Sequence, residues 1–267
     1  MSDFKQSCLI LDKPSGMSSN QALAKIKKKI NQKKAGFSGT LDPLASGLLI
    51  IFFNKATKLC SLFLGADKSY EAIIKLGYIS ETGDSDGEII SVKDVPNLND
   101  HDLRVLEEKY TGVIEQVPPM YSALKHKGVR LYEYARKGIN IERDARKVTI
   151  YNVKLDILDR GHLALKVKCS KGTYIRTLAE QIGEDIGCGA LLSKLVRTKI
   201  NNIDLSSAVN FEDFLSSSDK DICEKHMRNV DSILDNIDAY QLSETDKINF
   251  ILKLTNKNNG KLFLPTI

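Results

Sequence analysis

No stretch of this 267-residue chain stays apolar for anything near the roughly 20 residues that a membrane-crossing helix needs, so no transmembrane helix is expected. The opening residues, Met1-Ser2-Asp3-Phe4-Lys5-Gln6, run almost directly into a strand-like segment and do not read as a signal peptide. The protein is therefore expected in the cytoplasm. The cysteines are few and scattered. Cys8, Cys60, Cys169, Cys188 and Cys223 make no C-x-x-C pair, and His101, His126, His162 and His226 sit at no zinc-ligand spacing. That pattern argues against a zinc site and leaves the thiols as buried or reduced groups. A glycine-rich nucleotide loop is also missing, as are internal repeats and low-complexity segments. A metal site is not expected.

What the chain does have is enough apolar material for a substantial core, with 42% hydrophobic residues. Its net charge is +5, unevenly placed. Residues 204–267 carry seven basic and eleven acidic side chains, so the basic excess belongs to residues 1–203. A basic body suits a polyanionic partner, although many domains merely carry a solvated lysine face.

Ser7 to Asp12 reads as a buried strand. Ser18 or Ser19 then caps a helix with Ala22, Leu23, Ile26 and Ile30 on one face. Lys25, Lys27, Lys28 and Lys29 lie on the other face, as a solvated surface or as phosphate contacts. Residues 47–53 read as a second buried strand, 55–64 as helical, and 70–76 as an alternating strand. The acid-rich run 80–87 lacks the closing glutamate of a calcium loop and reads as a plain turn. A helix over 100–109 and a strand near 112–116 follow. Residues 148–157 and 163–169 alternate and should pair as a hairpin. A helix is expected over about 173–186, and 187–200 returns as an apolar then basic segment. Helices and antiparallel-looking strands mix without a βαβ rhythm, which predicts an α+β fold.

Two regions could carry chemistry or binding. Asp42 lies in Gly39-Thr40-Leu41-Asp42-Pro43-Leu44-Ala45-Ser46-Gly47, where it is either a turn-former or a reactive carboxylate. Residues 125–147 hold eight basic side chains against three acidic ones, with Tyr132 and Tyr134 among them and Tyr121 just before. Lys125, Arg130 and Arg136 belong to this set. Basic groups interleaved with aromatics suit RNA, because the cations meet phosphate while the rings stack on exposed bases.

Five segments then appear in order: LILDKPSGMSS (9–19), AGFSGTLDPLASGLL (35–49), KSYEAIIKLG (68–77), VPPMYSALKHKGVRLYEYARKG (117–138) and CSKGTYIRTLAEQIG (169–183). Over about residues 7–200 the chain resembles the TruB-type tRNA pseudouridine synthases. The resemblance implies a pseudouridine synthase fold, with a central mixed, largely antiparallel sheet flanked by helices and a basic RNA-binding insertion at about 120–147. It implies isomerisation of a uridine in the T loop of tRNA, at tRNA position 55, with no cofactor, metal or external energy source. By the same resemblance Asp42 is catalytic, Arg176 pairs with it and favours its charged state, and Tyr70 packs on the extruded uracil. Leu195 borders the base and Tyr174 lines the same pocket.

The sequence departs from the family pattern in three places. Phe37 stands where the family usually has a histidine associated with the flipped T loop. Residues 197–203 lack the glycine and aromatic often found there. Residues 241–267 are shorter than the RNA-binding PUA module that relatives commonly carry. The expected organisation is a catalytic domain over 1–240 and a short C-terminal remnant over 241–267. The expected partner is the T arm of tRNA, met by a monomer. An RNA-folding chaperone and a catalytic subunit of a guide-RNA complex are the alternatives. An intact set of Asp42, Tyr70 and Arg176 favours an enzyme.

Overall fold

A computed structural model describes residues 6–234. The chain divides into a compact unit ending at Val230 and a second unit, Asp231–Ile267. The expected C-terminal remnant at 241–267 lies outside the described residues.

Seven principal strands build the first unit: Ser7–Lys13 (β1), Ser46–Phe53 (β2), Lys68–Leu76 (β3), Gly112–Gln116 (β4), Arg146–Asp159 (β5), His162–Cys169 (β6) and Ala190–Ile200 (β7). Three helices are long enough to matter for packing: Ser19–Lys29 (α1), Asp100–Tyr110 (α2) and Ile175–Ile186 (α3). The strands form one sheet in the order β1-β2-β7-β3-β6-β5-β4, with Val209–Asn210 beyond β1 and short strands attached at its margins. Two pairings are parallel, β1 with Val209–Asn210 and β2 with β7, and the rest are antiparallel. The mixed, largely antiparallel α+β fold is as the sequence predicts.

Burial explains the composition of the strands. β2 reads SGLLIIFF and buries every residue after Ser46, as a strand covered on both faces must. β6 instead alternates: Leu163, Leu165, Val167 and Cys169 are buried while Lys166 and Lys168 are exposed. The 148–157 and 163–169 segments do pair as a hairpin, through β5 and β6. α1 begins at a capping box in which Ser18 and Gln21 bond each other's backbone N–H. α3 turns Ile175, Leu178, Ala179 and Ile182 toward the core and stops at Gly187, whose φ of 87° suits glycine.

Two segments took forms that periodicity alone did not give. Residues 55–64 split into a 3-10 turn, Asn54–Leu59, and one short α-helix, Cys60–Leu64. Residues 190–200, read only as a returning segment, form β7 at the middle of the sheet. The basic insertion contains a small hairpin, Lys125–His126 with Val129–Arg130, and the short helix Leu131–Ala135. No helix among the described residues is long and apolar enough to cross a membrane.

Candidate active site

Asp42 lies in the loop that feeds β2, and that loop is fixed from several directions. The Ser19 hydroxyl accepts from Leu41 N at 2.8 Å and donates to Leu41 O at 3.1 Å. Gly16 N donates to Pro43 O at 2.8 Å, and Ala45 N donates to Asp42 O at 3.1 Å. The turn is thus closed by the Asp42 carbonyl, and the carboxylate is directed elsewhere. It faces Arg176, whose Nη2 sits 2.9 Å from Asp42 Oδ2. The Asp42 side chain keeps 38% of its exposure, so a reactant can reach it.

Arg176 stands in the first turn of α3 and is 4% exposed. Its guanidinium is fully engaged, as a buried cation must be. Nη1 donates to Thr82 O and Nη2 to Tyr121 O, each at 2.7 Å, and Nε lies 3.7 Å from Asp84 Oδ2. Asp84 is 3% exposed and also accepts from the Thr82 hydroxyl at 2.6 Å. The acidic run at 80–87 is a turn, between the paired strands Tyr78–Ser80 and Ile89–Ser91, as its sequence suggests. It also supplies a second carboxylate to Arg176, which its composition did not reveal.

The electrostatics of Asp42 differ from the simple expectation. Burial pushes its pKa above the ordinary carboxylate value, Arg176 pulls it back, and Asp84 and Asp86 add to the upward push. The net direction is upward, so Arg176 orients the carboxylate and only partly offsets its desolvation.

Tyr70 lies on β3 directly opposite Arg197 on β7. Arg197 is 1% exposed; Nε donates to Leu48 O at 2.8 Å and Nη2 to Gly39 O at 3.1 Å, and Tyr70 stands across from it on the neighbouring strand. Burial raises the Tyr70 pKa and Arg197 opposes the rise. Leu195 precedes Arg197 by two residues, and so lies on the same face of β7. Tyr174 caps α3, and its backbone N and O are both bonded by the Gln116 side chain, at 3.0 and 3.2 Å.

Asp42, Tyr70, Tyr174, Arg176 and Leu195 converge on one cavity of about 260 Å³. An adjoining cavity of about 400 Å³ shares Asp42 and Arg176 and is bounded by Arg130, Tyr132, Arg136, Asp84 and Asp86. These volumes lie just below and within the ~300–1,000 Å³ of small-ligand clefts. Arg130 and Arg136 both approach the Tyr132 ring, with guanidinium carbons 5.8 and 5.4 Å from its centroid.

Two expected residues are elsewhere. Phe37 is half-buried in the short strand Ala35–Phe37, paired with Ile51 and packed on the core, and it bounds neither cavity. Lys125 is exposed in the small hairpin and also bounds neither.

Arg197, Lys13 and Lys68 stand near the site without any motif that marks them in the sequence. Lys13 is wholly buried; its Nζ donates to Pro14 O at 2.7 Å and Met17 O at 2.6 Å, and burial, with Arg197 adding, lowers its pKa to about 8. Lys68 donates to Phe63 O, Leu64 O and Ala66 O and is lowered to about 8 for the same reasons. The available signal was a cation set in an otherwise apolar strand, as in CLILDK and LVR. Among the described residues no group of three or more metal-ligating side chains comes together.

Known proteins resemble the chain along nearly its whole described length. A family model described as TruB family pseudouridylate synthase (N terminal domain) matches residues 27–175, and one described as tRNA pseudouridylate synthase B C-terminal domain matches 176–238. The tRNA pseudouridine synthase B of Azoarcus sp. (strain BH72) is 50% identical over 204 residues, covering 76% of this chain and 68% of that protein. The protein of the same name from Marinomonas sp. (strain MWYL1) is 42% identical over 249 residues, covering 92% and 81%. Among solved structures, a chain of a Cbf5-Nop10-Gar1 complex superposes with a TM-score of 0.63 at 26% identity, covering 83% of this chain and 56% of that one.

Proposed function

Since the chain belongs to the TruB family of pseudouridylate synthases, we propose that it isomerises a uridine of the tRNA T loop, at tRNA position 55, using Asp42 as the catalytic carboxylate. The observation that carries this reading is the Asp42–Arg176 pair, with its 2.9 Å contact, at a cavity walled by Tyr70 and Leu195.

The isomerisation detaches the base at its N-glycosidic bond, turns it, and rejoins it through C5. Asp42 attacks C1′, removes a proton from the sugar or attacks the uracil ring, and each route uses its ionised form. A pKa moved upward makes the carboxylate a stronger base, while Arg176 keeps it aimed. A uridine inside a folded loop must first leave its stack, at a cost of a few kcal/mol. Tyr70, Tyr174 and Leu195 receive the base. Arg130 and Arg136, with Tyr132 beside them, and Lys125 farther out hold the RNA. Phe37 lies outside the reacting pocket and meets the RNA at a distance from it. The same reading takes residues 1–240 as the catalytic domain, in a cytoplasmic monomer.

Release of tritium from C5-labelled uridine in a T-arm transcript tests the proposal, comparing wild type with Asp42→Asn. Release by wild type alone is expected, and equal release by both would remove Asp42 from its role. Tight binding with no release by wild type would instead favour an RNA chaperone.

A further inference from the structure

We propose that Arg197 is a positioning residue for Tyr70, fixing its ring and aiming its hydroxyl proton at the base in the Asp42 cavity. This rests on the reading of the site as a pseudouridine synthase centre, and goes beyond it by giving a role to a residue outside the expected set.

Placement is the first argument. Arg197 lies at the centre of the sheet, paired with Tyr70 on β3 and with Gly47 on β2. Gly47 has a φ of +99°, and a Cβ there would collide with the Arg197 backbone. That close approach fixes the root of the arginine side chain. Desolvating a guanidinium costs several kcal/mol, and this one is answered by two main-chain carbonyls. Leu48 O belongs to β2 and Gly39 O to the loop that carries Asp42, and Tyr70 faces the arginine from β3. One buried cation therefore joins the carboxylate's loop to the ring facing it.

Hydrogen-bond polarity is the second argument. Arginine has five donors and no acceptor. In the bond proposed between the two facing side chains the Tyr70 oxygen can only accept, which turns its hydroxyl proton away from the guanidinium. Tyr70 and Arg197 both line the cavity shared with Asp42 and Leu195. The arginine thus presents the hydroxyl to the base as a donor and favours negative charge on its oxygen. A lysine at 197 would keep the charge but could not span both carbonyls and Tyr70 with one planar fork.

The test uses the full chain, with C5 tritium release under single turnover and transcript binding as readouts, in wild type, R197K, Y70F and the double variant. R197K should slow release ~10–100-fold with affinity for the transcript within ~2-fold, and the double variant should be no slower than Y70F alone. Losses that multiply would overturn the proposal. A 3-fluorotyrosine at position 70, titrated by fluorine NMR, should ionise at higher pH in R197K; an unmoved midpoint overturns it as well. Should R197K not fold, the arginine side-chain nitrogen signals of wild type decide: those of Arg197 must shift in Y70F, and unchanged signals reject the contact. If wild type releases no tritium, the functional reading fails by itself, while the NMR measurements still decide whether Arg197 holds Tyr70.

Discussion

Nη2 of Arg176 serves two acceptors, 2.9 Å from Asp42 Oδ2 and 2.7 Å from Tyr121 O, so one nitrogen ties the candidate nucleophile to the root of the basic insertion. The remaining nitrogens of the same fork reach Thr82 and Asp84. Nothing shorter or less planar than arginine could serve all four positions.

Arg176→Lys should therefore lower the single-turnover rate about 100-fold, since orientation of the carboxylate is lost while a positive charge stays. Arg176→Met should do more to the fold. It leaves Asp84 buried without its cation, at about 3–5 kcal/mol, to be read from urea unfolding at neutral pH.

The pH dependence follows from the upward direction of the Asp42 pKa. The role proposed for Asp42 requires its ionised form, so activity should fall as pH drops through a value above the ordinary one for a carboxylate. Asp84→Asn removes a neighbouring negative charge and should move that acid limb to lower pH. Stability runs the other way. A carboxylate whose folded pKa exceeds its unfolded value binds more protons when folded, so its favourable contribution is lost as pH rises through that window. Asp42→Asn should accordingly raise the thermal midpoint relative to wild type at neutral pH and bring little gain at acid pH, as measured by calorimetry.

Gly47→Ala should destabilise the protein by about 2–4 kcal/mol, combining a strained positive φ with a collision against the Arg197 backbone. Urea unfolding reads this directly. A loss under ~0.5 kcal/mol would mean that the β2–β7 junction yields easily.

Phe37→His offers a separate check on how the RNA docks. Phe37 bounds neither cavity, so the substitution should change transcript affinity and leave the single-turnover rate at saturation within ~2-fold. A large change in that saturated rate would put the residue in contact with the reacting nucleotide.

Local periodicity made much of this fold legible. The alternation of β6, the apolar run of β2 and the one-sided face of α3 are all visible in short windows of sequence. The candidate set of Asp42, Tyr70 and Arg176 could be named only by resemblance, because spacing alone left Asp42 as either a turn residue or a reactive group. The pairing of Tyr70 with Arg197 joins residues far apart in the chain, and depends on β7 lying between β2 and β3. No short window contains that register. Asp84 was hidden for another reason: acid-rich turns are common, and only the arrival of Arg176 from α3 distinguishes this carboxylate from its exposed neighbours.

The cations around the site also bear on which substitutions the protein can accumulate. Lys13, Lys68 and Arg197 all donate to main-chain carbonyls, those of Pro14 and Met17, of Phe63, Leu64 and Ala66, and of Leu48 and Gly39. A carbonyl is present whatever side chain its residue bears. Those receiving positions can therefore drift in identity, wherever packing and backbone conformation allow, without breaking the lattice that holds Asp42. Tolerance for change is concentrated on the accepting side, and intolerance on three long basic side chains.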